Sequence, residues 1–175
     1  MTVLAIDIQK GITNERLYDY EGFIKSTNKV LEAARKNHIE VIYIQHDDGK
    51  GSGFSFGDKA FEIADEVAPC KDEKIFTKTI NSCFGNKDLV SYLRDKKEDS
   101  LMIVGLQTNL CIDASVKSAF ERGFKVIIPA GTNSTVDNDF MDKETTYNYY
   151  NSMMWPKRFA SCVSLETAIE ILNKF

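Results

Sequence analysis

The sequence has no long apolar run, no basic excess and no paired cysteines. No stretch approaches the ~18 apolar residues that cross a bilayer, so no membrane partner is expected. The N-terminus lacks a basic segment followed by an apolar one, and no secretory signal is read there. Lys and Arg number 22 against 26 Asp and Glu, a formal net charge of −4. No positive excess remains to pair phosphates, so nucleic acid is not expected as a partner. The four cysteines, Cys70, Cys83, Cys111 and Cys162, form no CxxC pair and no metal-finger spacing. They read as reduced thiols of a cytoplasmic protein. The two histidines, His38 and His46, are not spaced as a ligand pair. They cannot build a three-ligand catalytic centre without several carboxylates, so no metal and no other cofactor is expected.

What is present is ordinary globular material. The chain has 175 residues, 43% hydrophobic and 27% charged. One domain over 1–175 suffices, and it buries roughly 70% of its unfolded surface. No internal repeat or low-complexity tract interrupts it. The most loop-like stretch runs from Asp47 to Asp58, with glycines at 49, 51, 53 and 57. It is short enough to be a surface loop over a site.

Apolar runs and helical periods alternate along the chain. Strands are expected at Val3–Ile6, Val41–Ile44, Lys74–Lys78, Leu101–Val104, Phe124–Ile128 and Ser161–Val163. Helices are expected over Tyr20–Lys36, Asn86–Asp95, from Thr108 to the stop at Gly123, over Met141–Met153, and from Leu165 onward. A short helical piece is expected at Lys59–Asp65. This alternation predicts a parallel sheet with right-handed crossovers and helices on both faces, a three-layer α/β/α fold. In such sheets ligands bind outside the carboxyl ends of the strands, where the strand order reverses.

The strand ends therefore carry the chemistry. The first ends in Asp7, the second in His46-Asp47-Asp48, the third in Lys78. The fourth leads through a tight turn to Cys111, with Thr108 as the expected N-cap. At a helix start the free N–H groups and the dipole stabilise a thiolate, so the Cys111 pKa is expected to fall. A thiol, a carboxylate and an ammonium facing one crevice provide a nucleophile, its base and an orienting cation. Each residue also has a plainer reading. Cys111 is a small apolar side chain under a helix, Asp7 binds loop amides, and Lys78 is solvated. His46 is a pocket donor or simply a strand-end histidine, and His38 caps the first helix. Phe54 and Phe56 either cover a ligand or pack under their loop.

The motifs add a resemblance. Asp7-x-Gln9, Lys78-x-x-x-Ser82-x-Phe84 with Leu89, and Gly105-x-x-Thr108-x-x-Cys111 with Ala119-x-x-x-Gly123 occur in order. Together they resemble the isochorismatase-like cysteine hydrolases, which include nicotinamidases, N-carbamoylsarcosine amidohydrolases and streptothricin hydrolase. The resemblance covers nearly the whole chain. It implies a six-stranded parallel, Rossmann-like sheet of order 3-2-1-4-5-6 and a catalytic triad of Asp7, Lys78 and Cys111. It also implies a cis Leu106–Gln107 peptide, with the Gln107 and Cys111 N–H groups as oxyanion hole. Gln9, His46, Phe54, Phe56 and Phe84 are the expected substrate-binding residues.

Two features depart from the pattern. Lys10-Gly11-Ile12 replaces an aromatic after the aspartate. His46-Asp47-Asp48 lacks the Asp-x-His and second His of metal-binding nicotinamidases. The expected activity is hydrolysis of a C–N bond in a small amide, lactam or ureide through a thioester. The alternatives are vinyl-ether hydrolysis of the isochorismatase kind, or a redox-sensing or ligand-binding protein with a low-pKa thiol. The resemblance further implies a homo-oligomer, a dimer or larger, with Tyr147, Tyr149, Tyr150 and Trp155 as candidate interface aromatics.

Overall fold

A computed structural model describes residues 1–175. The strands are β1 (Thr2–Ile6), β2 (Glu40–His46), β3 (Lys74–Lys78), β4 (Ser100–Leu106), β5 (Lys125–Pro129), β6 (Asn133–Ser134) and β7 (Ser161–Val163). The helices are α1 (Tyr20–Lys36), α2 (Lys87–Asp95), α3 (Asp113–Glu121), α4 (Lys143–Tyr149) and α5 (Leu165–Leu172). The sheet order is β3-β2-β1-β4-β5-β7, and every pairing is parallel. This is the expected order. The strand at Ser161–Val163 becomes the seventh because the two-residue β6 pairs with the end of β4.

Alternation along each strand builds two cores. From β1, Val3 and Ala5 point to one face, with Phe23, Val30 and Leu31 of α1 and Ala168 and Leu172 of α5. Leu4 and Ile6 point to the other, with Leu89 and Leu93 of α2 and Val116 and Ala119 of α3. Period two in the strands and 3.6 in the helices produce this division directly. Side chains cap several helices: Asn86 accepts the Asp88 and Leu89 N–H groups, Asp142 that of Thr145, and Ser164 that of Thr167.

Several local expectations need correction. Thr108 does not cap a helix. A π-helical turn, Thr108–Ile112, precedes α3, and Gln107 stands before it. The Thr108 hydroxyl instead donates to Asn133 Oδ1 at 2.8 Å. The helix expected at Met141–Met153 is α4 followed by a second π-helical turn, Tyr150–Met154. The piece at Lys59–Asp65 is two separate 3-10 turns, Lys59–Phe61 and Asp65–Val67. After α1 it is the Asn37 side chain that donates to the Ala33 carbonyl, while His38 contributes only its backbone N–H, to Arg35. Trp155 is fully buried and donates from Nε1 to Asp113 Oδ1, so it offers nothing to an interface. No helix is long and apolar enough to cross a membrane.

Candidate active site

The strand order reverses between β1 and β4, and four strand ends converge there. β1 leads into Asp7, whose backbone turns left-handed at φ 54 while its N–H stays bonded to the Ile44 carbonyl at 2.9 Å. Asp is among the few residues that tolerate this region. It swings the carboxylate off the sheet. The register pairs His46 of β2 with Lys78 of β3. On β4, Gly105 lies opposite Ile6 with φ 131, and a Cβ there would overlap the Ile6 carbonyl oxygen. Only glycine allows this approach. The Leu106–Gln107 peptide that follows is cis. Next comes the π-helical turn that holds Cys111.

Lys78 is the hub. Its Nζ lies 2.7 Å from Asp7 Oδ2, 2.9 Å from His46 Nδ1 and 3.3 Å from Cys111 Sγ. The three ammonium protons thus have three acceptors. Acceptance at Nδ1 assigns the imidazole proton to Nε2, which donates to Asp48 Oδ1 at 3.0 Å. Lys78 and Asp7 are buried, and Asp7 Oδ1 is buried without a hydrogen-bond partner. Donor atoms of Asp7, His46 and Cys111 lie within 4.8 Å of one another, a spacing that suits a metal ion. The Lys78 ammonium bonds all three, so a metal would have to displace the cation already there.

Burial raises the Asp7 carboxyl above its ordinary value, outweighing the charge and hydrogen bond of Lys78. Burial and then the Asp7 charge push the Cys111 thiol up to about 12, against the pull of Lys78. This overturns the expected fall. The helix-start argument left out two things: the thiol is half-buried, and a carboxylate stands beside it. The site thus favours the thiol form of Cys111 over the thiolate. Beside its sulfur stands a carboxylate whose own pKa is raised.

A cavity of about 210 Å³ opens onto this cluster. That is below the usual range for drug-sized ligands, so its occupant is small. Asp7, His46 and Cys111 lie at its base, and the remaining wall comes from Ile12, Asp48, Phe54, Asn81, Gln107 and Leu110. The Gln107 N–H meets no acceptor within the protein.

The family model of the Isochorismatase domain matches residues 1–166. The chain belongs to the isochorismatase family. It is 28% identical to the isochorismatase family protein YrdC of Bacillus subtilis, over 83% of this chain and 78% of that protein. It is 25% identical to the ureidoacrylate amidohydrolase RutB of Agrobacterium fabrum, over 87% of this chain and 84% of the relative. A hydrolase of the family from Chromobacterium violaceum has the same fold, with a TM-score of 0.91 at 20% identity over 99% of this chain and 94% of its own. The protein is thus an isochorismatase-family hydrolase.

In this cavity and the cluster beneath it, the structure brings together Asp7, Lys78, Cys111, Gln107, His46 and Phe54. Three expected substrate-binding residues stand elsewhere. Gln9 spends its amide on the backbone: Nε2 donates to the His46 and Phe61 carbonyls, and Oε1 accepts the His46 N–H. It ties β2 to the loop and does not line the cavity above Cys111. Phe84 is buried in the core under α2 and α3, with its ring 5.7 Å from that of Phe124. Phe56 is 89% exposed and borders a different cleft, beside Phe61 and Ile75.

Ile12, Asn81 and Leu110 were not anticipated, and Asp48 was expected only as part of the His46-Asp47-Asp48 strand end. Adjacency supplied a signal for three of them. Asp48 follows His46 by two residues, Asn81 lies inside the lysine motif, and Leu110 precedes Cys111. The segment after β5 contributes no residue to this cavity. Asn133 and Thr135 of that segment brace the turn that carries Cys111, through Thr108 and Asn109.

Proposed function

We propose that this family member is a cysteine hydrolase that cleaves the C–N bond of a small amide, lactam or ureide. One observation carries the reading. A single buried ammonium, Lys78 Nζ, touches both the Asp7 carboxylate and the Cys111 sulfur at the base of a cavity. Family membership supports hydrolysis, and the amidohydrolase activity in the name of RutB supports the C–N bond.

Asp7 takes the Cys111 proton as the sulfur attacks the substrate carbonyl carbon. The S–C bond forms and the carbonyl π pair moves onto oxygen. The N–H groups of Gln107 and Cys111 receive that oxyanion, and each such donor is worth ~3 kcal/mol in the transition state. Collapse breaks the C–N bond, and Asp7 passes its proton to the leaving nitrogen. A thioester on Cys111 remains. Water then adds to the thioester carbon and gives a proton to Asp7. The S–C bond breaks, and the sulfur recovers that proton. Lys78 orients the pair, and its charge favours the thiolate as it forms. The sum is amide plus water to acid plus amine, with no metal in any step.

The reading is tested by measuring ammonia or amine release from a panel of small amides, lactams and ureides in chelator-containing buffer. Turnover by the wild type and none by Cys111→Ala is the expected result. Activity that survives Cys111→Ala, or that chelation removes and zinc or manganese restores, overturns it.

A further inference from the structure

We infer that the cavity selects against substrates whose acyl part carries a negative charge, and accepts uncharged or cationic ones. The inference rests on the cysteine-hydrolase reading of the same cavity. Two carboxylates line that cavity, Asp7 at its base and Asp48 at its rim, and no lysine or arginine lines it. The neighbouring cation, Lys78, has a fully buried side chain, and its protons are committed to Asp7, His46 and Cys111. An incoming carboxylate on the acyl part therefore finds no cationic partner, because the free Gln107 N–H is reserved for the carbonyl oxygen.

The nearer acceptors strengthen this. Asp7 Oδ1 is buried without a partner. Asp48 places Oδ1 on His46 Nε2, and its side chain is 54% exposed. Both are acceptors, suited to a substrate N–H or to a positive charge. Lys10, the cation nearest in sequence to Ile12, is held outside by Glu62 and Asp65 at 2.8 and 2.9 Å. The apolar wall of Ile12, Phe54 and Leu110 contributes no charge. A ligand anion within ~6 Å of Asp48 in this half-shielded setting is opposed strongly enough to slow its entry about tenfold.

Three alkylating reagents read the selectivity without requiring turnover. Iodoacetamide is neutral, iodoacetate anionic and 2-bromoethylammonium cationic. Rates at Cys111 are followed by peptide mapping in the folded chain, and each is divided by the rate at the same cysteine in urea. The expected result is a folded-to-unfolded ratio about tenfold lower for iodoacetate than for iodoacetamide, with 2-bromoethylammonium at or above the neutral reagent. Asp48→Asn, whose amide oxygen can still accept from His46, should close most of the gap by speeding iodoacetate.

Equal ratios for iodoacetate and iodoacetamide overturn the inference while leaving the cysteine-hydrolase reading intact. So does an Asp48→Asn variant with an unchanged gap, or exclusion of the cation as strong as that of the anion. If Asp48→Asn does not fold, the wild-type ratios decide. Failure of all three reagents at Cys111 while the wild type still turns over an amide overturns the inference alone, and failure together with no turnover overturns both readings.

Discussion

At the amino-terminal ends of β1, β2 and β3, Thr2, Glu40 and Lys74 meet Lys96 and Glu98. Glu40 accepts from the Tyr92 hydroxyl at 2.7 Å and from Lys74 and Lys96 at 3.0 Å each. Glu98 accepts from the Thr2 hydroxyl at 2.6 Å and pairs with Lys96 at 3.3 Å. At the opposite ends of the same strands stand Asp7, His46 and Lys78. Both clusters join carboxylates to lysine ammonium groups. In the first, burial pushes the Glu40 carboxyl up, but its three hydrogen-bond donors outweigh this and hold it below its ordinary value. In the second, burial wins and the Asp7 carboxyl is raised. The first cluster is partnered and partly solvated, and serves stability. The second keeps an unpartnered oxygen, a thiol and a cavity. Charge pairing alone does not mark a site. Incomplete pairing beside an opening does.

The largest effect that separates the two ends is on rate. Cys111→Ala should abolish turnover, and Asp7→Asn should lower kcat at least ~10³-fold for lack of a base. Glu40→Gln should leave kcat unchanged and cost about 1 kcal/mol of stability. Steady-state kinetics and urea melts on the three variants check this. A Glu40→Gln enzyme that loses activity at full stability would erase the contrast.

The two carboxylates should also give opposite pH slopes. A raised pKa means the folded chain holds the Asp7 proton more tightly, so that contribution to stability is lost as pH rises from about 4 through the raised value. A depressed pKa means the Glu40 contribution is present above its ordinary value and lost as pH falls through the lowered one. The stability of wild type minus Asp7→Asn should therefore fall with rising pH, and that of wild type minus Glu40→Gln should rise. Slopes of equal sign would show the two ends to be alike. The acid limb of kcat/KM should lie above the ordinary aspartate range.

The aromatic loop offers a finer test. Phe54 lines the cavity, whereas Phe56 is almost fully exposed. Phe54→Ala should raise KM several-fold, and Phe56→Ala should change neither KM nor Tm. Equal effects of the two on KM would mean that the loop closes as one unit.

The alternation of strands and helices was legible because period two in the strands and 3.6 in the helices are strong over this length, whereas the strand order came from the family resemblance alone. Asp7, Lys78 and Cys111 were legible because strand ends meet at the reversal point. The direction of the Cys111 shift was not, since burial and a neighbouring carboxylate are properties of the folded chain. Gln9 misled for a similar reason. Its place next to the aspartate resembled a binding position, but its amide is saturated by the backbone of β2 and the loop. Phe84 read as a pocket aromatic from its motif, and only packing reveals that it points into the core. The two-residue β6 is too short to leave any periodic pattern.

The central claim is that Cys111 becomes acylated through the carbonyl carbon of an amide substrate. Acid-quenched mass spectrometry during turnover of the best substrate from the panel tests it directly. The account predicts an adduct on the Cys111 peptide alone, with the mass of the acyl part without the leaving amine. The adduct should be absent in Cys111→Ala and discharged by hydroxylamine. Full turnover with no adduct at any quench time, or an adduct on Cys70, Cys83 or Cys162 instead, would contradict it.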